Sequence, residues 1–113
     1  MFMITQHPTC TWSHTGFGRG KRTSSTSVGF FVIEHIATGK LWVTHSKHVS
    51  VDVDLVIQQV MQGQHQNRAL NKLVSMDMDL KLHEYPSHTL AQAKDLVRQL
   101  KRSVEPAYLL LNP

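Results

Sequence analysis

The chain predicts a small α+β domain, and three patterns in it carry the prediction. Two β-rich apolar runs flank a glycine turn at 28–46. Apolar residues recur at helical spacing in three later segments, and a run before Pro86 alternates strictly between apolar and polar. The 113 residues make one domain with a modest core. With 41% apolar and 18% charged residues the chain is globular, not disordered.

Residues 1–27 read as an arm. They carry Arg19, Lys21 and Arg22 with no acidic residue, alongside Gly16, Gly18, Gly20 and the run T-S-S-T-S. Basic residues beside Trp12 and Phe17 suit phosphate contact and base stacking. Equally, the two aromatics suit packing of a surface loop on the core. The three glycines precede the first strand, so they form no dinucleotide-binding turn.

The domain spans 28–113. Its hairpin has strands over 28–36 and 41–44 joined by A-T-G-K, where Gly39 supplies a positive φ. Val49, Val53, Val56 and Val60 then mark a helix, with Ser50 as N-cap, Asp52 and Asp54 in the first turn, and Gly63 as the stop. A short helix over 67–74 turns Ala69, Leu70 and Leu73 inward. Met76, Met78, Leu80 and Leu82 alternate with Asp77, Asp79, Lys81 and His83, which predicts a third strand with one wet face, ended by Pro86. Ser87 or Thr89 caps a last helix with Leu90, Ala93, Val97, Leu100 and Val104 as its apolar stripe and Arg98, Lys101 and Arg102 towards its end. The apolar tail P-A-Y-L-L-L-N-P packs on the sheet or on another chain. The expected fold is a small three-stranded antiparallel sheet flanked by about three helices.

Cys10 is the sole cysteine, so no intrachain disulfide forms, and a cytoplasmic setting is expected. No apolar run reaches the roughly 18–20 residues of a membrane span, and no membrane partner is expected. Eight histidines invite a metal proposal, but no pair stands at ligand spacing on one helix, so they read as surface or capping residues and no metal or cofactor is expected. The net charge of +4 permits an acidic partner. Lys47, Arg68, Lys72, Arg98, Lys101 and Arg102, with the arm's cluster, read as one candidate face for phosphates.

Several short stretches taken in order resemble the GIY-YIG nuclease domain. Gly29-Phe30-Phe31 and Trp42-Val43-Thr44 stand where that family has its two tripeptides. T-G-K at 38–40 resembles the family's N-G-K link, and S-K-H-V at 46–49 its S-K-N-I. The stretch Q-G-Q-H-Q-N-R-A-L at 62–70 is similar to K-G-x-H-x-N-x-x-L of phage homing endonucleases. T-L-A-Q-A-K-D-L resembles the later A-x-x-x-E helix, and P-A-Y-L-L-L-N the closing P-x-Y-N.

The resemblance implies a site of two tyrosines, an arginine and a metal-holding glutamate for phosphodiester cleavage. The corresponding positions here are Phe31, Trp42, Asp52 and Val97, and none offers that chemistry. The expectation is therefore a catalytically inactive GIY-YIG-like domain, phage-encoded and acting in host cytoplasm. It would bind nucleic acid, DNA more than RNA, through Arg19, Lys21, Arg22, Lys47, Arg68 and Lys72. The alternative is a protein-interaction module docking on a host or virion protein, with 108–111 as contact strip and homodimerisation as one form. A third reading, an active nuclease, recruits Asp52, Glu84 or Asp95 as metal ligand.

Overall fold

The computed structural model describes residues 28–77 and 79–113 and the backbone of a strand at Cys10–His14. The expected α+β fold is present, with the expected three antiparallel strands and three helices. The elements are β1 (Cys10–His14), β2 (Gly29–His35), β3 (Lys40–Ser46), α1 (Val49–Met61), α2 (Arg68–Met76), β4 (Leu80–Pro86) and α3 (Leu90–Ser103). A 3-10 turn at Ala107–Leu109 follows. The sheet is antiparallel in the order β1-β4-β2-β3, so β1 adds a fourth strand on the β4 edge. That strand falls inside the stretch read from sequence as an arm.

The β2–β3 hairpin turns at 36–39, where Gly39 takes φ +73. Gly29 is required for a different reason. A Cβ there would stand 2.1 Å from the Tyr85 carbonyl oxygen, so a side chain would push β2 from β4.

The two faces of the sheet carry separate cores. On one, Phe31, Ile33, Trp42, Leu80 and Leu82 pack against Val49, Val53, Val56, Ile57 and Val60 of α1 and Leu70 and Val74 of α2. On the other, Phe30, Val32, Leu41, Val43 and Tyr85 pack against Val97, Leu100 and Val104 of α3 and Leu110 of the tail. Phe30 and Tyr85 stack at 4.6 Å. Strict alternation in β2 sends neighbouring phenylalanines to opposite cores.

Five expectations need correction, one of them on α2, where Leu70 and Val74 face the core while Ala69 is exposed and Leu73 half-buried. The alternating run does not begin a strand at Met76: α2 continues to that residue, and the Asp77 N–H still donates to the Leu73 carbonyl at 2.9 Å. Four residues of alternation satisfy a helix end as readily as a strand, and the pairing with β2 starts only at Leu80. Nor does β4 have a wet face, because Leu82 through Tyr85 are all buried. Ser50 is not the cap of α1. His48 holds that position without a side-chain bond, while Ser46 Oγ accepts from the His48 N–H (2.9 Å) and donates to Asp52. The histidines are not all superficial: His35, His65 and His83 are buried.

Other boundaries agree. Gly63 ends α1 with φ +68, and the Thr89 hydroxyl caps α3 by accepting from the Gln92 N–H at 3.1 Å. The tail packs on the sheet, as one of its two expected fates. Leu110 bridges Leu41 in parallel, and the Leu111 N–H donates to the Leu41 carbonyl at 2.7 Å. Asn112 then clamps Val43, accepting from its N–H (3.1 Å) and donating through Nδ2 to its carbonyl (2.6 Å). The edge of β3 is thereby covered.

Candidate nucleic-acid interface

Phe31 is fully buried and Trp42 nearly so, with their rings 6.0 Å apart in the α1–α2 core. Asp52, on α1, belongs to the same side and is engaged by Ser46. Val97 lies across the sheet, buried under α3. The structure thus brings Phe31, Trp42 and Asp52 to one face and leaves Val97 on the other. Of the three carboxylates considered as substitute ligands, Glu84 is fully buried in register with Phe31, and Asp52 is on that same face. Asp95 sits on the solvent side of α3, paired with Arg98 at 2.9 Å. Among the described residues no group of three acidic, histidine or cysteine side chains is placed to hold a metal ion.

The H-x-N-x-x-L stretch has a structural role at every position. His65 is buried, and its ring meets Trp42 edge-on at 4.8 Å. Its Nδ1 accepts from the Asn67 N–H at 3.0 Å, so its proton resides on Nε2. Burial holds its pKa below the usual histidine value, which keeps the ring neutral at pH 7. Asn71 brackets the same residue, accepting from its N–H (3.1 Å) and donating to its carbonyl (2.6 Å). Asn67 caps α2 by accepting from the Leu70 N–H at 3.0 Å, and its Nδ2 donates to the Leu111 carbonyl at 3.2 Å. Leu70 fills the core. Directly after the Asn67 cap, α2 presents Arg68 and, one turn on, Lys72, both exposed.

Two further histidines bind strands to their surroundings. His35 Nε2 donates to the Asp77 carbonyl at 2.8 Å, tying the hairpin to the end of α2. His83 Nε2 donates to Glu34 Oε1 at 3.2 Å. Burial lowers the His83 pKa more than Glu34 raises it, so the contact is a hydrogen bond from a neutral ring rather than an ion pair at pH 7. Tyr85 beside them is pushed up to about 12 by burial and by Glu34, and it stays protonated.

The basic residues do not line one face. Arg68 and Lys72 belong to α2, on one layer; Arg98, Lys101 and Arg102 belong to α3, on the other. Lys47 is exposed just beyond β3. The α2 cap touches Leu111, which pairs with the start of β3, whereas Lys47 follows the end of β3. Lys47 and the Arg68–Lys72 pair are thus separated by roughly 20 Å of strand, six residues from Leu41 at about 3.3 Å each. Arg19, Lys21 and Arg22 lie outside the described residues.

Sequence reading placed His45 among the surface or capping histidines and passed over Lys94. His45 is exposed on β3, in the row of Leu41 and Val43 that faces α3. Partial burial and then the charges of Lys94 and Lys101 lower its pKa. The recurrence of lysine at 94 and 101, two helical turns apart, was the available signal.

Among the described residues no helix is long and apolar enough to cross a membrane. Compared with protein-family models, curated proteins and solved structures, the chain shows no match.

Proposed function

We propose that this protein binds nucleic acid, DNA in preference to RNA, on a GIY-YIG-like scaffold that has no nuclease chemistry. The contrast between core and rim carries the reading. Positions that a nuclease of that kind would fill with hydroxyl and carboxylate groups hold Phe31, Trp42 and Val97, all buried and apolar in character. Lys47, Arg68 and Lys72 are exposed, and none has a carboxylate within ion-pair distance among the described residues. Cations without protein partners are free to displace counterions from phosphates. The element order from β2 onward, strand, strand, helix, helix, strand, helix, also supports the scaffold reading. So does the compact use of the H-x-N-x-x-L stretch at the α2 cap. A cytoplasmic setting, in a host cell for a phage-encoded chain, accompanies this proposal.

Docking of a host or virion protein through the tail has less support. Leu110 is buried and Leu111 packs on the first core, which leaves Tyr108 as the well-exposed residue of that strip.

Fluorescence anisotropy with short single- and double-stranded DNA and RNA at about 50 and 200 mM salt tests the proposal. Binding that weakens steeply with salt, with substrate left intact in Mg²⁺, is expected. Absence of binding at the lower salt overturns it, and Mg²⁺-dependent cleavage overturns its inactive part.

A further inference from the structure

Two of the cation groups differ in setting: Arg68, Lys72, Lys47 and Lys94 are exposed, and Lys101 is half-buried. Arg68 and Lys72 form an exposed pair on α2, away from Leu70 and Val74, which enter the core. On the other layer, α3 lies along β3 and β2, and Val97 and Leu100 seal the seam against Leu41 and Val43. Lys94 and Lys101 flank that buried stripe, at positions three before and four after Val97. They are seven residues apart, about 10.5 Å along the axis at 1.5 Å per residue. Their charges reach His45 on the strand side of the seam. Lys47 continues the same strand end, where α3 also begins, since Pro86 and Ser46 both pair with Gly29.

The nearby acids do not cancel this charge. Asp95 is taken by Arg98, with both side chains 60% exposed. Neither Lys94 nor Lys101 has a carboxylate within ion-pair distance among the described residues. The result is a line of cations along one seam, backed by a dry core.

We infer that the α3–β3 seam, through Lys94, Lys101 and Lys47 with His45 between strand and helix, is the principal phosphate-contacting surface for a nucleic-acid backbone. This rests on the nucleic-acid reading above and assigns it to one side of the molecule. Lys94 and Lys101, about 10.5 Å apart along the helix, can reach phosphates that are not adjacent on a strand, and such contacts position a duplex without reading its bases.

The test is anisotropy of a fluorescein-labelled 20-base-pair DNA duplex with the full chain, from about 50 to 200 mM salt. The variants are Lys94→Gln/Lys101→Gln, Lys94→Arg/Lys101→Arg and Arg68→Gln/Lys72→Gln. The first is expected to lose at least tenfold in affinity at the lower salt. It should also flatten the slope of log K against log salt by about 2, since each phosphate contact contributes about 0.9. The arginine pair should retain binding, which separates lost charge from lost fold. The α2 pair should lose less than threefold. Failure of the unaltered chain to bind overturns nucleic-acid binding as such. Binding that survives Lys94→Gln/Lys101→Gln within twofold, or falls as far with the α2 pair, overturns the seam alone.

Discussion

Asn112 offers the sharpest test of how the sheet is finished. Its amide forms both halves of a strand-like pair with Val43, at 3.1 and 2.6 Å, and Val43 is 1% exposed. Replacing it by alanine removes both bonds at once while Leu110 and Leu111 still shield the edge. A typical internal hydrogen bond nets about 0.5–1.5 kcal/mol, and a buried group left unpaired costs about 1–3 kcal/mol. Asn112→Ala should therefore destabilise by about 2–3 kcal/mol, a large share of the roughly 5–15 kcal/mol that holds a domain folded. Urea denaturation would read this as a lower midpoint at unchanged slope. Amide hydrogen exchange should show Val43 losing protection ahead of Val32 in the central strand. A change below about 0.5 kcal/mol, or undiminished protection at Val43, would refute the view that the tail completes the edge of β3.

Three other outcomes follow from the same geometry. Phe31→Tyr restores the hydroxyl expected at a nuclease position but places it in a fully buried site, so a loss of about 1–3 kcal/mol is expected in urea melts, and no loss would reveal an accessible cleft there. Gly29→Ala drives a methyl group against the Tyr85 carbonyl and should cost about 3 kcal/mol or more in thermal unfolding, whereas a cost under 1 kcal/mol would deny the close approach. His65 has its folded pKa depressed by burial, so the unfolded chain takes up the proton first; its contribution is complete above about pH 6.5 and declines as pH falls from there through the folded value. His45 and His83 act in the same direction. The melting temperature should drop between pH 7 and 5, and His65→Gln should flatten that drop; an unaltered pH slope in the variant would remove His65 from the account.

The local elements were legible because their signals are local. The hairpin carries its own turn glycine, and α3 carries both its cap at Thr89 and its apolar stripe. The Asn67 cap could be read from an asparagine set just before R-A-L. What the sequence concealed depends on partners distant in the chain. The strand Cys10–His14 lies in glycine- and serine-rich surroundings, and its pairing with β4 links residues some seventy positions apart. Met76 looked like strand because α2 ends in a residue that is 73% exposed, so polar and apolar positions alternate there by coincidence. The burial of Glu84 and His83 follows from layers on the sheet, which no window of sequence contains. The site was harder still. Its cations are spread over two helices and a strand, and only the layering decides which of them share a side.

That layering also limits what kind of function the molecule can host. An open sheet face lined by polar groups is the natural place for a cleft, yet here both faces are closed by apolar packing. On the proposed GIY-YIG-like reading, Phe31 and Trp42 stand where that family has tyrosines, and a hydroxyl at either position would need a partner in the buried core. Under the proposed function, contact then falls to the rims: the β3 end with Lys47, the α3 seam, and the outer face of α2. On that reading, charge spread along a rim suits a long polyanion. Binding of that kind neutralises phosphates and leaves base edges unread, so the proposed activity is expected to tolerate sequence and to respond strongly to salt. A marked preference for one DNA sequence would point to base-edge contacts and would count against a purely backbone-directed interface.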